Sequence, residues 1–391
     1  MDFLNDYLDS FRQAAEAGNP MAQFYLGRAY FTGDGVVQDE SEAIKWFRKA
    51  AIQGFADAQF SLGGCLFEGR GVEQDYKEGL KWFRKAAQQG FAPAQFYLGN
   101  CYHDGDGVVQ DFKEAAKWLR KAADQGLAKA QFNLANSYFF GEGVAKNYKE
   151  AVKWYRKATE QGHAKAICNL GLCYIKGYGV SRNVERALEL FRIAARQGIA
   201  EAQYYLGLYD FEKEDDNDYK EAVKWFHKAA EQGLDEAQFD LANCYYSGHG
   251  VTQNKEEAVK WWRKAAEQGH VKAQFNLGQA YSDGDGVDQN IEEAARWYLK
   301  AAEQGFADAQ YSFANCCYDG AGVEQNYEEA VKWYLKAAQQ GDSAAQYYLG
   351  LCFVKGEGVA PNYEEALKWL SQAARQGDPD AIEILKTLEE K

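Results

Sequence analysis

Residues 91–126 read FAPAQFYLGNCYHDGDGVVQDFKEAAKWLRKAADQG, and this stretch returns, recognisably, along the whole chain. A shift of 36 residues sets the closing glycine at Gly54, Gly90, Gly126, Gly162 and Gly198. One residue is then lost, and the register resumes at Gly233, Gly269, Gly305, Gly341 and Gly377. That makes ten tandem units, nine of 36 residues and one of 35. A period in this range marks a solenoid, whose units bury apolar faces on their neighbours instead of closing a core. The expected fold class is all-α, an α-solenoid of helix-turn-helix repeats.

Within the first unit, a helix over Pro20–Thr32 sets Ala22, Gln23, Leu26, Gly27 and Tyr30 on one face at about 100° per residue. Leu26 recurs as Leu62, Leu98, Leu134, Leu170, Leu206, Leu241, Leu277 and Leu349, with Phe313 the exception. The Gly27 slot admits only Gly or Ala, which lets a second helix approach closely. A Gly-x-Gly-Val turn such as Gly33–Val36 follows, suited to positive φ. The second helix is announced by Asp39, Asp75, Asp111, Asn147, Asn183, Asp218, Asn254, Asn290, Asn326 and Asn362 in one N-cap slot. Glu42 and its equivalents stand three residues later, Arg186 alone departing, so the pattern is a capping box worth about 1 kcal/mol per cap. Ala43, Trp46, Phe47, Ala50 and Ala51 form the buried stripe, and the helix stops at Gly54 with Phe55 folding back.

The ends fit the same frame. Residues 2–18 align with a lone second helix and 378–391 with a lone first helix, the capping elements that a stack needs. Ten repeats over 19–377 between these two caps give 22 helices and one solenoid domain over 1–391.

Composition narrows the function classes. A net charge of −14 argues against nucleic acid as partner, because phosphate binding needs a basic footprint. No run approaches the roughly 18 apolar residues of a membrane span. The opening MDFLNDYLDSFRQ lacks the basic start and apolar core of a signal peptide, so a cytoplasmic monomer is expected, secreted or periplasmic only if a leader was removed. Of the 38 glycines, 35 fall in four slots per unit, those of Gly27, Gly33, Gly35 and Gly54. Six of the eight cysteines (Cys65, Cys101, Cys173, Cys244, Cys316, Cys352) share one slot, which predicts small buried thiols and no bridges, because equivalent residues of stacked helices lie about 8–10 Å apart.

No constellation for catalysis, metal or cofactor stands out. The histidines at 103, 163, 227, 249 and 270 are scattered along the chain, with no His-x-x-x-His pair. The Gly-Asp-Gly-Val loops lack a following Gly-Lys-Ser/Thr and leave a helix, unlike phosphate loops. Residues 212–218, EKEDDND, replace the glycine turn of the sixth unit as a reshaped, solvated loop. The Lys45, Arg48 and Lys49 slots form a basic outer stripe, with Glu42 placed for i,i+3 pairing to Lys45.

The pattern Ala-x-x-x-Leu-Gly-x-x-Tyr-x-x-Gly-x-Gly-Val, then Ala-x-x-Trp/Tyr-x-x-x-Ala-Ala-x-x-Gly, resembles the SEL-one-like repeat family, relatives of tetratricopeptide repeats. The resemblance covers essentially the whole chain. It implies a right-handed superhelix that serves as an adaptor for proteins or peptides. Some bacterial members are cysteine-rich, with a disulfide in each repeat, and have been associated with binding penicillin-like compounds. In this chain no second helix carries a cysteine. A non-enzymatic scaffold is therefore expected, with a penicillin-binding or β-lactamase-like enzyme as the alternative.

In such stacks the side of the first helix opposite Leu26 lines the concave groove. The Arg28 slot there reads Arg28, Gly64, Asn100, Asn136, Leu172, Leu208, Asn243, Gln279, Asn315 and Leu351. An asparagine can donate and accept at once, so Asn100, Asn136, Asn243, Gln279 and Asn315 are candidates to hold the backbone of an extended peptide. Phe139, Phe140, Tyr246 and Tyr318 lie beside them as pocket walls, and Leu172, Ile175, Leu208 and Phe211 form a candidate apolar patch. The Phe24 slot is expected to pack neighbouring helices together.

Overall fold

The structure, a computed structural model, describes residues 11–389. Every regular element among them is helical. They fall into two compact units that meet in sequence between Ile199 and Ala200, where the 35-residue repeat begins. In the first unit, helical residues 11–16 precede α1 (Pro20–Thr32), α2 (Glu40–Ile52), α3 (Ala56–Glu68), α4 (Tyr76–Gln88), α5 (Ala92–Asp104), α6 (Phe112–Asp124), α7 (Ala128–Phe140), α8 (Tyr148–Glu160), α9 (Ala164–Lys176) and α10 (Val184–Arg196). The second holds α11 (Ala200–Phe211), α12 (Asp216–Glu231), α13 (Asp235–Ser247), α14 (Lys255–Glu267), α15 (Val271–Asp283), α16 (Ile291–Glu303), α17 (Ala307–Asp319), α18 (Tyr327–Gln339), α19 (Ser343–Lys355), α20 (Tyr363–Arg375) and α21 (Pro379–Glu389). Odd-numbered helices are first helices and even-numbered ones second helices. Of the N-terminal helix expected over 2–18, residues 2–10 lie outside the described residues; the described part is helical and buries Ala15. No helix is long and apolar enough to cross a membrane among the described residues.

The leucine slot is the centre of each layer, Leu62, Leu98, Leu134, Leu241, Leu277 and Leu349 being fully buried. Glycine is needed beside it for close approach: a Cβ on Gly99 of α5 would lie 2.9 Å from Leu119 Cγ of α6. In the following turn, Gly107 combines a φ of 69° with a position where a Cβ would stand 2.8 Å from the Tyr76 carbonyl oxygen of the preceding repeat. At the far end of each second helix, the Phe55 N–H donates to the Ala50 carbonyl (3.2 Å) across Gly54 (φ 90°), the expected Schellman ending.

The capping box is only half formed. Asp39 accepts from the Glu42 N–H (2.9 Å), as its side chain should. Its own N–H, however, donates to the Tyr30 carbonyl of α1 (2.9 Å), because the turn brings the cap over the last turn of the first helix. Glu42, with no cap N–H left to accept from, pairs with Lys45 (2.8 Å) instead. In the sixth repeat the expected N-cap Asp218 is displaced. The N-cap is Asp215, which accepts from the Asn217 N–H (2.9 Å), and α12 begins three residues early. With the glycine turn gone, Glu214 takes the tight left-handed corner (φ 58°), while Lys213 holds Asp210 (2.7 Å) and Asp218 (3.0 Å).

The outer face divides in two. Lys45, Lys117, Lys153 and Lys260 are exposed and paired with the glutamate three residues before them, and Lys49, Lys264 and Lys336 lie over Trp46, Trp261 and Trp333 at 3.5–3.8 Å. The Arg48 slot is not merely solvated. Arg48 reaches Glu78 of the next repeat (3.0 Å), Arg84 donates to the Tyr102 hydroxyl (2.8 Å), and Arg120 and Arg263 donate to those of Tyr138 and Tyr281.

One buried polar side chain joins the layers. The Gln59 amide of α3 donates to the Ala51 carbonyl at the end of α2 (3.0 Å) and accepts from Gln89 beyond α4 (2.8 Å). The same relay runs through Gln95, Gln131, Gln238, Gln274, Gln310 and Gln346, each about 4% exposed. Removing the amide deletes two inter-helix hydrogen bonds at once, to the Ala230 carbonyl and from the Gln268 amide, so Gln238→Leu should lower stability by about 1–2 kcal/mol in urea unfolding.

Two histidines also act structurally. His163 Nδ1 accepts from the Ala166 N–H (3.2 Å) with its ring stacked on Phe132 (4.8 Å). His270 does the same with the Ala273 N–H (3.1 Å) and Phe239 (4.5 Å). Burial holds both below the usual value of 6.5. The unfolded chain therefore protonates first: stability is complete above pH 6.5 and falls as the pH drops towards the lowered folded values. Melting curves between pH 7 and 5 should show a shallower decline for a His163→Asn/His270→Asn double variant, since asparagine caps without titrating.

Candidate functional site

The asparagines of the first helices are held by their neighbours. Tyr155 donates its hydroxyl to Asn136 Oδ1 (2.6 Å), Trp262 its indole N–H to Asn243 Oδ1 (3.0 Å), and Tyr334 its hydroxyl to Asn315 Oδ1 (2.6 Å). Asn100 Oδ1 accepts from Asn133 (3.0 Å). The carbonyl half of each amide is thus committed within the repeat stack. The Asn315 amide also bonds the Tyr311 hydroxyl, whereas the amide nitrogens of Asn100, Asn136 and Asn243 have no protein partner among the described residues. The sequence carried a signal for these locks. Ala–Asn replaces Gly at 135–136, 242–243 and 314–315, and in each case the ring twenty residues after the alanine is Tyr or Trp.

The aromatic candidates separate by exposure. Phe139 sits half-buried against Tyr148 (5.1 Å) and Tyr178 (5.6 Å), while Phe140 is 61% exposed. In the second unit, Tyr246 lies against Trp262 (5.1 Å) and donates to Asp285 (3.2 Å), which also pairs with Lys255 (2.8 Å). Tyr318 packs on Tyr327 (5.0 Å) and donates to Glu357. Asn243, Tyr246 and Gln279 are brought together around one open depression of about 470 Å³, which Asp283 and His249 also border.

The apolar candidates belong to different units and stand separately here. Leu172 and Ile175 are half-buried on α9 of the first unit. Leu208 and Phe211 are half-buried on α11 of the second, packed against its core, with Phe211 against Tyr219 (4.8 Å). The Phe24 slot packs as expected, Phe60 lying 5.6 Å from both Phe83 and Phe91.

A feature that sequence reasoning passed over lies in the first unit. A depression of about 330 Å³ opens between α1 and α3, walled by Phe24, Phe31, Phe60 and Tyr97. It opens at Gly64, whose slot carries a side chain in every other repeat. A Cβ at Gly64 would meet nothing within 4 Å, and its φ is not positive. Glycine inside a helix costs about 0.5–1 kcal/mol relative to alanine, and no local contact demands it here. The other stray helix-interior glycine, Gly79, is explained: a Cβ there would lie 2.7 Å from the Phe67 ring. The count that exposes both is simple, since only Gly18, Gly64 and Gly79 fall outside the four repeat slots.

All eight cysteines are buried thiols outside any disulfide, and burial pushes the Cys101, Cys173 and Cys244 thiols up to about 12, away from reactive thiolate. No cluster of three metal-ligating side chains occurs among the described residues.

The Sel1 repeat model matches ten consecutive segments, from 20–55 and 56–91 through 200–234 to 343–378. The chain belongs to the Sel1 repeat family. Its fold is accordingly an α-solenoid of ten Sel1 repeats. Among solved structures it is similar to c5321, a protective antigen of uropathogenic Escherichia coli with an SLR fold, at 37% identity and a TM-score of 0.77, over 99% of this chain and 83% of that one. It is also similar to a Sel1 repeat protein from Oxalobacter formigenes at 32% identity and a TM-score of 0.41, over 88% of this chain and 90% of that one. No curated protein matches the chain. Sel1 repeat proteins generally act as scaffolds for protein interaction.

The Sel1 asparagine locks can be tested directly. Asn315→Ala strands the fully buried Tyr334 hydroxyl and should cost about 1–3 kcal/mol in urea unfolding. Adding Tyr334→Phe should recover most of that loss, and a double-mutant cycle reads the coupling.

Proposed function

We propose that this Sel1 repeat chain is a non-enzymatic scaffold that holds an extended segment of another protein against the first-helix side of its repeats. The observation that carries the reading is the set of unused amide donors on Asn100, Asn136 and Asn243, beside the exposed rings of Phe140 and Tyr246. With their oxygens engaged, these amides act as donors only, so they select carbonyl groups, which an extended backbone presents whatever its side chains. In the first unit Phe139, Leu172 and Ile175 stand with these amides; the second unit has its own set in Leu208, Phe211, Gln279, Asn315 and Tyr318. Family membership supports the scaffold role, and the buried, protonated thiols fit a framework without chemistry of its own.

The test avoids the asparagines, whose removal would disturb folding. Affinity capture with the full chain, read by mass spectrometry, is compared with a Phe140→Ser/Leu172→Ala/Gln279→Ala variant. Recovery of the specific partner should fall at least about tenfold, equivalent to about 1.4 kcal/mol, with helical circular dichroism unchanged. Equal recovery would move the binding surface away from the first helices.

A further inference from the structure

The aromatic depression beside Gly64 has a cost without a local cause. Gly64 weakens α3, yet neither backbone conformation nor crowding requires it. Its one visible consequence is an open space of about 330 Å³, at the small end of ligand pockets and suited to a single large side chain. The walls are rings, Phe24, Phe31, Phe60 and Tyr97, which offer faces and edges to another aromatic group. Two arginines border the space. Arg70 is spoken for: it pairs with Glu40 and lies over Phe31 at 4.1 Å. Arg28 is exposed and has no ion pair among the described residues. Glu68 also stands on the rim and disfavours more than one acid nearby.

We propose that this pocket is an anchor site for a partner peptide: an aromatic side chain enters the space left by Gly64, and one adjacent carboxylate pairs with Arg28. The proposal deepens the scaffold reading and rests on it, by naming the chemistry that one repeat of the first unit selects. Desolvated aromatic anchors of this kind dominate binding where a pocket receives them, and the Arg28 pairing adds polarity to the choice.

The probe is 3-phenylpropionate, a ring carrying a single carboxylate, followed by ligand-observed NMR on the full chain with 3-phenylpropionamide as the uncharged control. The acid should bind the unaltered chain, and the amide about tenfold more weakly. Gly64→Leu should abolish binding of both. Gly64→Asn, which installs the residue of the same slot in repeats three, four, seven and nine, should do the same with a melting temperature no lower than that of the parent. Arg28→Gln should bring the acid down to the level of the amide. Binding that survives Gly64→Asn, an acid-to-amide ratio unchanged by Arg28→Gln, or no binding by the parent would each overturn the proposal. The Phe140→Ser/Leu172→Ala/Gln279→Ala variant leaves this pocket intact, so failure of the anchor and failure of the groove reading give different patterns.

Discussion

The buried glutamines of the first helices turn the two ends of one amide to different neighbours, the nitrogen to one helix and the oxygen to another. Gln59 gives its amide protons to the end of the helix before it and takes a bond from the residue that closes the helix after it. Three successive helices are thereby held at one mutual height by a single side chain. Apolar packing alone does not do this, because leucine and alanine contacts tolerate sliding and hydrogen bonds do not. The carbonyl it reaches sits at a helix end, where the Gly54 N–H uses one of the two lone pairs of the Ala51 oxygen (3.1 Å) and the Gln59 amide uses the other. Ile167 shows the alternative. It fills the slot with buried apolar volume, and the Thr159 carbonyl of the preceding helix keeps, among the described residues, only the Gly162 N–H (2.8 Å) of its own turn.

With the layers registered in this way, side chains on the remaining side of the first helices sort by how far the stack consumes them. Asn136 and Asn243 serve both purposes, their oxygens satisfying a buried tyrosine and a tryptophan while their nitrogens face away. Asn315 is taken up at both ends. Phe140 is left in solvent. Gly64 goes further and withholds a side chain altogether, trading helix stability for space. A repeat protein can make such exceptions cheaply, because each layer contacts only its neighbours and a local loss does not spread.

Much of this was legible beforehand, and the failures have physical causes. Pro20–Thr32, the leucine slot and the closing glycines followed from periodicity and local backbone chemistry. The capping box misled because the N-cap N–H of Asp39 found a carbonyl in another helix, a competitor that local rules do not contain. Asp218 misled because a deletion changed where the chain could begin to coil, and Asp215 was nearer. The asparagines looked free because their partners, Tyr155, Trp262 and Tyr334, lie nineteen residues away on the facing helix.

The sequence by itself determined the number of repeats, the helices, their ends except for the start of α12, and the stripe each helix buries, because all of these depend on a repeated pattern of residues within a turn or two of one another. Only the tertiary structure decided which polar groups were spent between layers and which were left over, and that one glycine opens a pocket. Those outcomes depend on distances between residues 8 to 39 positions apart on different helices, which a spacing along the chain does not encode.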